Sequence, residues 1–420
     1  MSNWFKNYDE IATTPERRDA LAIAEAALDA IDTETVIRNS VSIQGDTLKV
    51  KDQAFDLKPF KNIKVIGFGK ASCKAASALE KIIGDRIQTG IAIGLEAVAC
   101  ENIRTYQGTH PEPSAQNVEV SGSILEMSRN ATADDLVIVI VSGGGSALLC
   151  WPKEECDQGQ ILYHRFLKSG GDIRELNVVR KHISQLKGGG LAKALYPATV
   201  IGLIFSDVPG DDLESIASGP TFRDTSTMAD ALKIIEKYGL GSFNLNETPK
   251  DEIYFEKVHN IPVVTNLTAL EAMRHKAGEL GYQAGILTSE LYDQTEQALQ
   301  KTFAAAKPGA CVLAGGEVSL VVTTEGGSGG RNLNLAMNAL KLIGPADTLL
   351  TLASDGLDNG PKAGAIVDRA TVSKLKESGL DLEDHIKRYD AENLFVKLGT
   401  ALVTGPTEAN VSDLLLLIRK

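Results

Sequence analysis

Residues 136–149 read LVIVIVSGGGSALL, and this stretch predicts the fold. Its first half is apolar and mostly β-branched, which is typical of a strand buried on both faces of a parallel sheet. The next residues, Gly143, Gly144 and Gly145, allow unusual backbone conformations and let N–H groups approach a ligand. The apolar residues after Ser146 predict the start of a helix. This combination favours an anion site, most often for phosphate, and the alternative is a tight turn without a ligand.

A second stretch, residues 63–70, has the same design. It reads IKVIGFGK, so a buried strand enters the turn Gly67-Phe68-Gly69 and Lys70 follows. A lysine at this place is a candidate ligand for phosphate or carboxylate, although most lysines are simply solvated. Two strand–turn–helix units in the first 150 residues predict a doubly wound α/β sheet, with its site at the C-terminal edge of the strands.

Basic residues precede a second run of three glycines. Residues 177–192 read NVVRKHISQLKGGGLA, and the residues concerned are Arg180, Lys181, His182, Lys187, Gly188, Gly189 and Gly190. On an acidic chain this segment is a local basic patch, suited to an anionic ligand. The alternative is a solvated helix face that ends in a glycine cap.

Charged residues also follow later strands. Asp207 comes after the apolar run 200–205, where an acid suits Mg²⁺ or general-base work. Asp211 and Asp212 follow it, and at least one of them is better read as a helix cap or first-turn acid. Arg331 lies in the glycine-rich segment 326–334, so we expect a ligand or the following helix to hold its planar fork of donors.

Composition limits the class of protein. The 420 residues carry a net charge of −12 and are 43% apolar, which argues against nucleic acid as a partner and allows large cores. The five cysteines are scattered without metal-ligand spacing, so we expect reduced thiols in a cytoplasmic protein. The first ten residues are polar, and no apolar stretch is long enough to span a membrane.

A polar, weakly patterned stretch separates two halves of the chain. It covers residues 224–256, and we place a domain boundary there. The predicted domains are 1–250 and 251–420.

These motifs, taken in order, resemble those of the class II glycerate 2-kinases, some of which are labelled hydroxypyruvate reductases. The C-terminal half of that family is called the MOFRL domain. The matching segments are VIGFGKAS around Lys70, VSGGGSALL around Gly144, NVVRKHISQLKGGGLA around Lys187, SDVPGDDLESIASGPT around Asp207, GGEVSLVV, GGRNLNLAM around Arg331, SDGLDNGPKAGAIVD around Asp355, and TGPTEANVSDL near the end. The resemblance covers nearly the whole chain. One departure is Glu408-Ala409 and Ser412, where family members often read TGPTGTNVNDL.

The resemblance implies a fold and a reaction. The fold is two different α/β domains, the first a Rossmann-like doubly wound sheet and the second of MOFRL type, with the active site in the cleft between them. The reaction is transfer of the γ-phosphoryl group of ATP to the 2-hydroxyl of D-glycerate, with Mg²⁺. Two basic residues regarded as catalytic in the family map onto Lys70 and Arg331, and the family aspartate at SDV maps onto Asp207.

Phosphoryl transfer needs positioning and charge neutralisation, and each candidate residue receives one of these roles. Lys70 and Arg331 are expected to stabilise charge on the transferring phosphoryl group. Asp207 either orients or deprotonates the 2-hydroxyl or holds Mg²⁺ through water, and both readings stay open. The residues expected to bind phosphate or the substrate carboxylate are Ser142, Gly143, Gly144, Gly145, Ser146, Lys187, Gly188 and Gly189.

Two rival functions come from other classes. One is an NAD(P)H-dependent hydroxypyruvate reductase, but the turn Gly67-Phe68-Gly69 is not followed by the third glycine of a dinucleotide fingerprint. The other is a non-catalytic sugar-acid binding protein, against which Lys70 and Arg331 argue. The expected partner is a small molecule, and for the assembly a homodimer is an open alternative.

Overall fold

The computed structural model describes residues 4–208, 210, 212–323 and 326–420. Its contacts divide the chain into two compact units. We call residues 33–206 and 212–263 the middle unit, and the described residues of 1–32, 207–211 and 264–420 the terminal unit. Each of the two units is α/β, as predicted.

The middle unit contains a three-stranded and a six-stranded sheet with helices between the strands. Its elements are α3 (Thr33–Ser40), β1 (Val41–Gln44), β2 (Thr47–Val50), β3 (Gln53–Asp56), β4 (Asn62–Phe68), α4 (Ser72–Ile83), β5 (Ile87–Gly94), β6 (Ile103–Gln107), α5 (Ala115–Arg129), β7 (Asp135–Val141), α6 (Gly145–Leu148), α7 (Lys153–Leu167), α8 (Ile173–His182), α9 (Gly190–Leu195), β8 (Thr199–Phe205), α10 (Met228–Tyr238) and β9 (Val258–Val264). Short 3-10 helices lie at Gly84–Arg86, Leu213–Ser218 and Glu252–Tyr254.

The six-stranded sheet has the order β6-β5-β4-β7-β8-β9. β4 pairs in parallel with β5 on one side and with β7 on the other, and β5–β6 and β7–β8 are also parallel. The chain therefore winds outward from β4, returns to its other side and winds outward again. This is the predicted doubly wound sheet, and its switch point lies between β4 and β7, where such folds bind ligands.

Apolar runs explain why these strands lie at the centre. Every residue of β7 is buried, in agreement with a strand covered on both faces by helices. The four C-terminal residues of β4 are buried as well, and they lead directly into the Lys70 turn. Burial on both faces fixes the ends of the two strands, so the loops that follow them start from rigid positions.

The terminal unit contains a mixed six-stranded sheet. Its elements are α1 (Tyr8–Ile11), α2 (Pro15–Ile31), α11 (Asn266–Glu279), β10 (Gln283–Thr288), α12 (Thr295–Ala305), β11 (Ala310–Gly316), α13 (Arg331–Ala339), β12 (Asp347–Ala353), β13 (Gly364–Asp368), α14 (Arg369–Ser378), α15 (Leu382–Lys387), α16 (Ala391–Leu398), β14 (Ala401–Leu402) and β15 (Asp413–Arg419). The strand order is β10-β11-β15-β12-β13-β14. β15 is antiparallel to both β11 and β12, and the apolar residues 414–418 form the buried centre of the sheet.

The division into units differs from the predicted ranges 1–250 and 251–420. The compact middle unit continues to Val263, and residues 4–32 pack with the C-terminal part of the chain. The physical reason is that α2 packs against α11. In addition, the buried guanidinium of Arg17 pairs with Asp368 at 2.7 Å. Both contacts join segments that are more than 200 residues apart, so no local pattern announces them.

Two further findings concern the cysteines and the helices. Cys150 and Cys156 are paired in the structure, with their Cα atoms 5.7 Å apart, whereas Cys73, Cys100 and Cys311 are free, so the expectation of reduced thiols stays a prediction for this pair. In the part of the chain that the structure describes, no helix combines the length and apolar character needed to cross a bilayer.

Candidate active site

The loops after β4 and β7 are bonded to each other at the switch point. Lys70 donates its N–H to the carbonyl oxygen of Gly143 at 2.9 Å, and Ala71 donates its N–H to Ser142 Oγ at 3.1 Å. Gly69 has φ +121°, and a Cβ there would overlap Ser142, so only glycine lets the two loops approach this closely. Ser142 is thus buried as the joint between the loops, and the predicted phosphate-binding residues around it are held in place.

Gly144 brings two candidate side chains together. It has φ +77°, and a Cβ at this position would lie 3.0 Å from Cδ2 of His110 and 3.1 Å from Cγ of Lys70. Among the described residues, neither Gly143 nor Gly144 donates its N–H to a protein acceptor. The first glycine triplet (143–145) therefore offers two unused N–H donors beside a lysine, which is the arrangement expected of an anion site.

Lys70 is half-buried and lacks a carboxylate within 4 Å, as far as the described residues go. An ammonium group held near free N–H donors attracts an oxyanion more strongly than a fully solvated one does. Lys70 therefore lies beside the first triplet, and its role as a phosphate ligand stays a prediction.

The protonation of His110 is also influenced by the nearby positive charges. Partial burial of its ring and the positive charges of Lys70 and Arg180 lower the pKa of His110 to about 4, so the ring is neutral at pH 7. Part of the side chain stays exposed to solvent. The structure places His110 against the first triplet.

The helix that follows the first triplet is too short to contribute a large dipole. α6 begins at Gly145 and ends at Leu148, so it has four residues and its aligned peptide dipoles are few. Gly144, in the left-handed conformation, is its N-cap. Anion binding at this loop would depend on individual N–H groups and on Lys70 instead.

Ser146 belongs to a hydrogen-bonded chain of side chains. Its Oγ lies 2.9 Å from Ser218 Oγ, and Ser218 donates to Asn177 Oδ1 at 3.3 Å. Arg180 Nη1 donates to the same Asn177 oxygen at 3.5 Å. This chain connects the first triplet to the basic segment of α8.

The rest of the predicted basic patch is not available to a ligand. Lys181 pairs with Asp224 at 3.2 Å, and His182 is fully buried with its Nδ1 2.9 Å from the carbonyl oxygen of Val178. Lys187 is 4% exposed and pairs with the buried carboxylate of Glu155, while its Nζ also donates to the carbonyl oxygen of Leu149 at 2.8 Å. The ammonium of Lys187 is therefore neutralised inside the middle unit, and its assignment as a phosphate ligand stays a prediction that these contacts do not favour.

The second glycine triplet (188–190) also uses its N–H groups within the protein. Gly188 and Gly189 donate their N–H groups to the carbonyl oxygens of Ser218 and Gly219, both at 2.9 Å. Gly190 donates to Lys187 at 3.0 Å, so all three donors are used. Gly189 has φ +88°, and a Cβ there would lie 2.7 Å from Phe255 Cζ. This triplet permits close packing and offers no free N–H donor in the structure, so its role as a phosphate cradle stays a prediction that these contacts do not favour.

In the terminal unit, Asp207 is placed by its backbone. Ser412, which has φ +73°, donates its Oγ to the carbonyl oxygen of Asp207 at 3.0 Å. The neighbouring Pro209 and Asp211 lie outside the described residues, so the reading of Asp211 as a cap has no structural outcome. Whether Asp207 serves as a base or a metal ligand stays a prediction.

Arg331 is the first residue of α13, and two carboxylates hold it. Its Nη1 lies 3.0 Å from Glu317 Oε2 and its Nε lies 3.1 Å from Asp413 Oδ2. The side chain is 39% exposed, so part of it remains accessible to a ligand. From the sequence we expected a ligand or the following helix to hold Arg331. The carboxylates of Glu317 and Asp413 were not predicted as its partners.

Asp358 explains how the glycine loop before Arg331 is fixed. Its carboxylate accepts the N–H groups of Gly330 at 3.2 Å, Asn332 at 3.1 Å and Leu333 at 2.7 Å. Burial raises the pKa of Asp358, and these donors oppose the rise. Burial likewise raises the pKa of Asp413 to about 7, although the positive charge of Arg331 acts to lower it.

These groups line one pocket of the terminal unit. Its polar members are Glu317, Arg331, Ser354, Asp355, Asp358, Asn359, Asn410, Ser412 and Asp413. Within the described ranges, no group of three or more His, Cys, Asp or Glu side chains is arranged to hold a metal ion. A pocket with one partly accessible arginine and several acids suits a phosphate that carries its own cation.

Comparisons with known proteins agree with this architecture. Residues 19–248 match the model of a domain of unknown function, DUF4147, and residues 310–413 match the MOFRL family. The glycerate 2-kinase of Pyrococcus horikoshii is 33% identical, with 96% of this chain and 97% of that protein covered. The D-glycerate 2-kinase of Thermotoga maritima is 36% identical, covering 84% of this chain and 89% of that protein.

A solved structure extends the agreement to the fold. The crystal structure of a glycerate kinase from Thermotoga maritima superposes with a TM-score of 0.84 at 31% identity, covering 97% of this chain and 100% of that one. With a family model over more than half of the chain and full-length relatives above 30% identity, the protein belongs to the class II glycerate kinase family.

Proposed function

We propose that this enzyme transfers the γ-phosphoryl group of ATP to the 2-hydroxyl of D-glycerate, giving 2-phosphoglycerate and ADP. The observation that carries the proposal is the arrangement of donors at the switch point. There the free N–H groups of Gly143 and Gly144 lie beside Lys70, which has no carboxylate partner in the described parts of the chain. Donors of this kind stabilise the charge that spreads over phosphate oxygens during transfer.

The reaction assigns one task to each candidate residue. A bond forms between the 2-hydroxyl oxygen and the γ-phosphorus, and the bond from that phosphorus to the β–γ bridging oxygen breaks. Lys70 and Arg331 stabilise the negative charge of the transferring group. Asp207 takes up the hydroxyl proton or, in the other reading, holds Mg²⁺ through water.

Mg²⁺ is part of the proposal. This ion prefers one or two carboxylates together with waters and phosphate oxygens, and it neutralises charge on the β- and γ-phosphates. The carboxylates present fit this preference. Asp355 lines the pocket that also contains Arg331, and Asp207 is the other candidate ligand for Mg²⁺. Removal of divalent cations with a chelator is expected to abolish turnover, and added Mg²⁺ to restore it.

The decisive assay compares two reactions on the same preparation. With ATP, Mg²⁺ and D-glycerate we expect ADP release above the rate without glycerate, and ³¹P NMR should identify the 2-phospho isomer. Loss of NADH absorbance with hydroxypyruvate, without ADP release on glycerate, would favour the reductase instead. Binding of D-glycerate without either reaction would favour a sugar-acid binding protein.

The proposal extends to the setting of the enzyme. We propose a cytoplasmic enzyme that acts on a small molecule without nucleic acid, because the net charge of −12 disfavours polyanions. A homodimer is the proposed assembly, and light scattering on purified protein measures it directly. Thiol titration would report whether Cys150 and Cys156 are oxidised in the cell.

A further inference from the structure

Arg180 is a half-buried cation without a counter-ion. No carboxylate lies within 4 Å of its guanidinium among the residues described, although the two lysines that follow it, Lys181 and Lys187, each pair with an acid. Removing an arginine from water without a partner costs free energy, so such a group is usually kept for an anion that arrives later.

The guanidinium is nevertheless held in one place. It lies 5.7 Å from the centroid of the Tyr163 ring, a favourable cation–π distance, and its Nη1 contacts Asn177 Oδ1. Through Asn177 and Ser218, the hydrogen-bonded chain described above ends on Ser146 Oγ. Arg180 is therefore held at the end of this chain by neutral partners, which leave its charge uncompensated.

Arg180 also lines a pocket of the middle unit. Ser146, Tyr163 and Pro111 contribute to the same pocket, and Pro111 directly follows His110. The His110 ring is close enough to both unpaired cations, Arg180 and Lys70, for their charges to lower its pKa. A small ligand that carries both an oxyanion and a hydroxyl would find a charged and a neutral partner here.

We propose that Arg180 binds the carboxylate of D-glycerate and thereby selects 2-hydroxy acids over neutral polyols. This inference rests on the proposed function. The planar fork of an arginine matches the two oxygens of a carboxylate, whereas the compact ammonium of Lys70 suits a phosphoryl group as a point charge. A neutral His110 beside the carboxylate offers a hydrogen bond to an adjacent hydroxyl without adding charge. The same oxyanion chemistry could come from a nucleotide phosphate, and the experiment separates the two sources.

The test uses three variants of the full-length enzyme. Arg180→Met removes the charge, Arg180→Lys keeps the charge without the fork, and Arg174→Met makes the same change at an exposed arginine on α8. We expect KM for D-glycerate to rise at least 30-fold in Arg180→Met and less in Arg180→Lys, with KM for ATP unchanged. Arg174→Met should resemble the wild type.

Isothermal titration supplies a readout independent of turnover. D-Glycerate should bind the wild type and lose at least 30-fold in affinity in Arg180→Met, while glycerol should bind neither. A rise in KM for ATP alone would overturn the inference in favour of a nucleotide phosphate, and unchanged constants in both Arg180 variants would overturn it outright. If Arg180→Met does not fold, Arg180→Lys answers the same question, because a lost fork should still raise KM for glycerate.

The outcomes for the two proposals are distinguishable. Wild-type protein that binds D-glycerate but releases no ADP would contradict the kinase proposal, and the titration of the Arg180 variants would still decide whether Arg180 binds the carboxylate. ADP release with unchanged glycerate constants in the variants would contradict only the role of Arg180.

Discussion

The first triplet (143–145) and the second triplet (188–190) are both runs of three glycines that enter a short helix in the middle unit. In the first, Gly143 and Gly144 keep their N–H groups unused within the described structure; in the second, all three donors bind carbonyl oxygens. The lysines beside them differ in the same way, because Lys70 has no acid partner there and Lys187 is buried on Glu155. A glycine run thus indicates close approach of a backbone, and the destination of the N–H groups decides whether it serves a ligand or packing.

The largest effect should come from Lys70→Met. We expect kcat/KM to fall about 10³-fold, because a fixed cation at the transferring phosphoryl group is lost. The free energy of unfolding should change by less than about 0.5 kcal/mol, because Lys70 has no partner in the described chain to leave unpaired. Steady-state kinetics and thermal denaturation on one preparation measure both values. A large loss of stability with activity per folded molecule intact would show that Lys70, like Lys187, stabilises the fold and does not act on the substrate.

Lys187→Met should show the opposite behaviour. It would leave the carboxylate of Glu155 buried without its cation, and breaking a buried ion pair in this way costs about 3–5 kcal/mol of stability. The activity of the fraction that stays folded should be near that of the wild type. The double change Lys187→Met with Glu155→Leu is the matched control, since it removes both charges and should recover much of the loss. A KM for ATP that rises in the folded fraction would restore Lys187 as a phosphate ligand.

The glycines themselves give a smaller effect. Gly189→Ala should destabilise the protein by about 1–3 kcal/mol, because φ +88° disfavours alanine and the new Cβ meets Phe255. Gly144→Ala has the same backbone strain, but its Cβ would displace His110 and Lys70, so we expect an additional loss in kcat/KM of at least tenfold. Comparing activity per folded molecule in the two variants isolates the ligand role of the first triplet. Equal losses of activity in both would break the distinction.

The smallest effect is a pH dependence at the first triplet. The pKa of His110 is lowered to about 4 in the folded protein and lies near 6.5 in the unfolded chain, so between these values only the unfolded state takes up the proton. Stability should therefore fall as the pH drops from about 6.5 to 4, by less than the full shift implies because the side chain is partly exposed. Comparing the melting temperatures of the wild type and His110→Gln across this range measures the contribution. Parallel curves would show that the His110 ring does not sense the neighbouring charges.

The sequence predicted the strands well and the partners of charged residues poorly. The runs 136–141 and 63–68 fall within β7 and β4, because a strand buried on both faces requires a continuous apolar run that can be read locally. The pairs Lys187–Glu155 and Arg331–Asp413 join residues 32 and 82 positions apart, and nothing in a local pattern names the partner. Lys70 could be singled out as a candidate site residue because the turn that presents it is local.

The membership of α2 in the terminal unit has a consequence for biosynthesis. The ribosome delivers α2 early, whereas α11 and Asp368, its packing and ion-pair partners, emerge some 240 and 350 residues later. The six-stranded sheet of the middle unit is completed by strands within 62–264, so it can form before α2 has packed against its partners. During that interval the apolar face of α2, with Leu21 and Leu28, is exposed to solvent or to a chaperone, and an early helix becomes one of the last to dock.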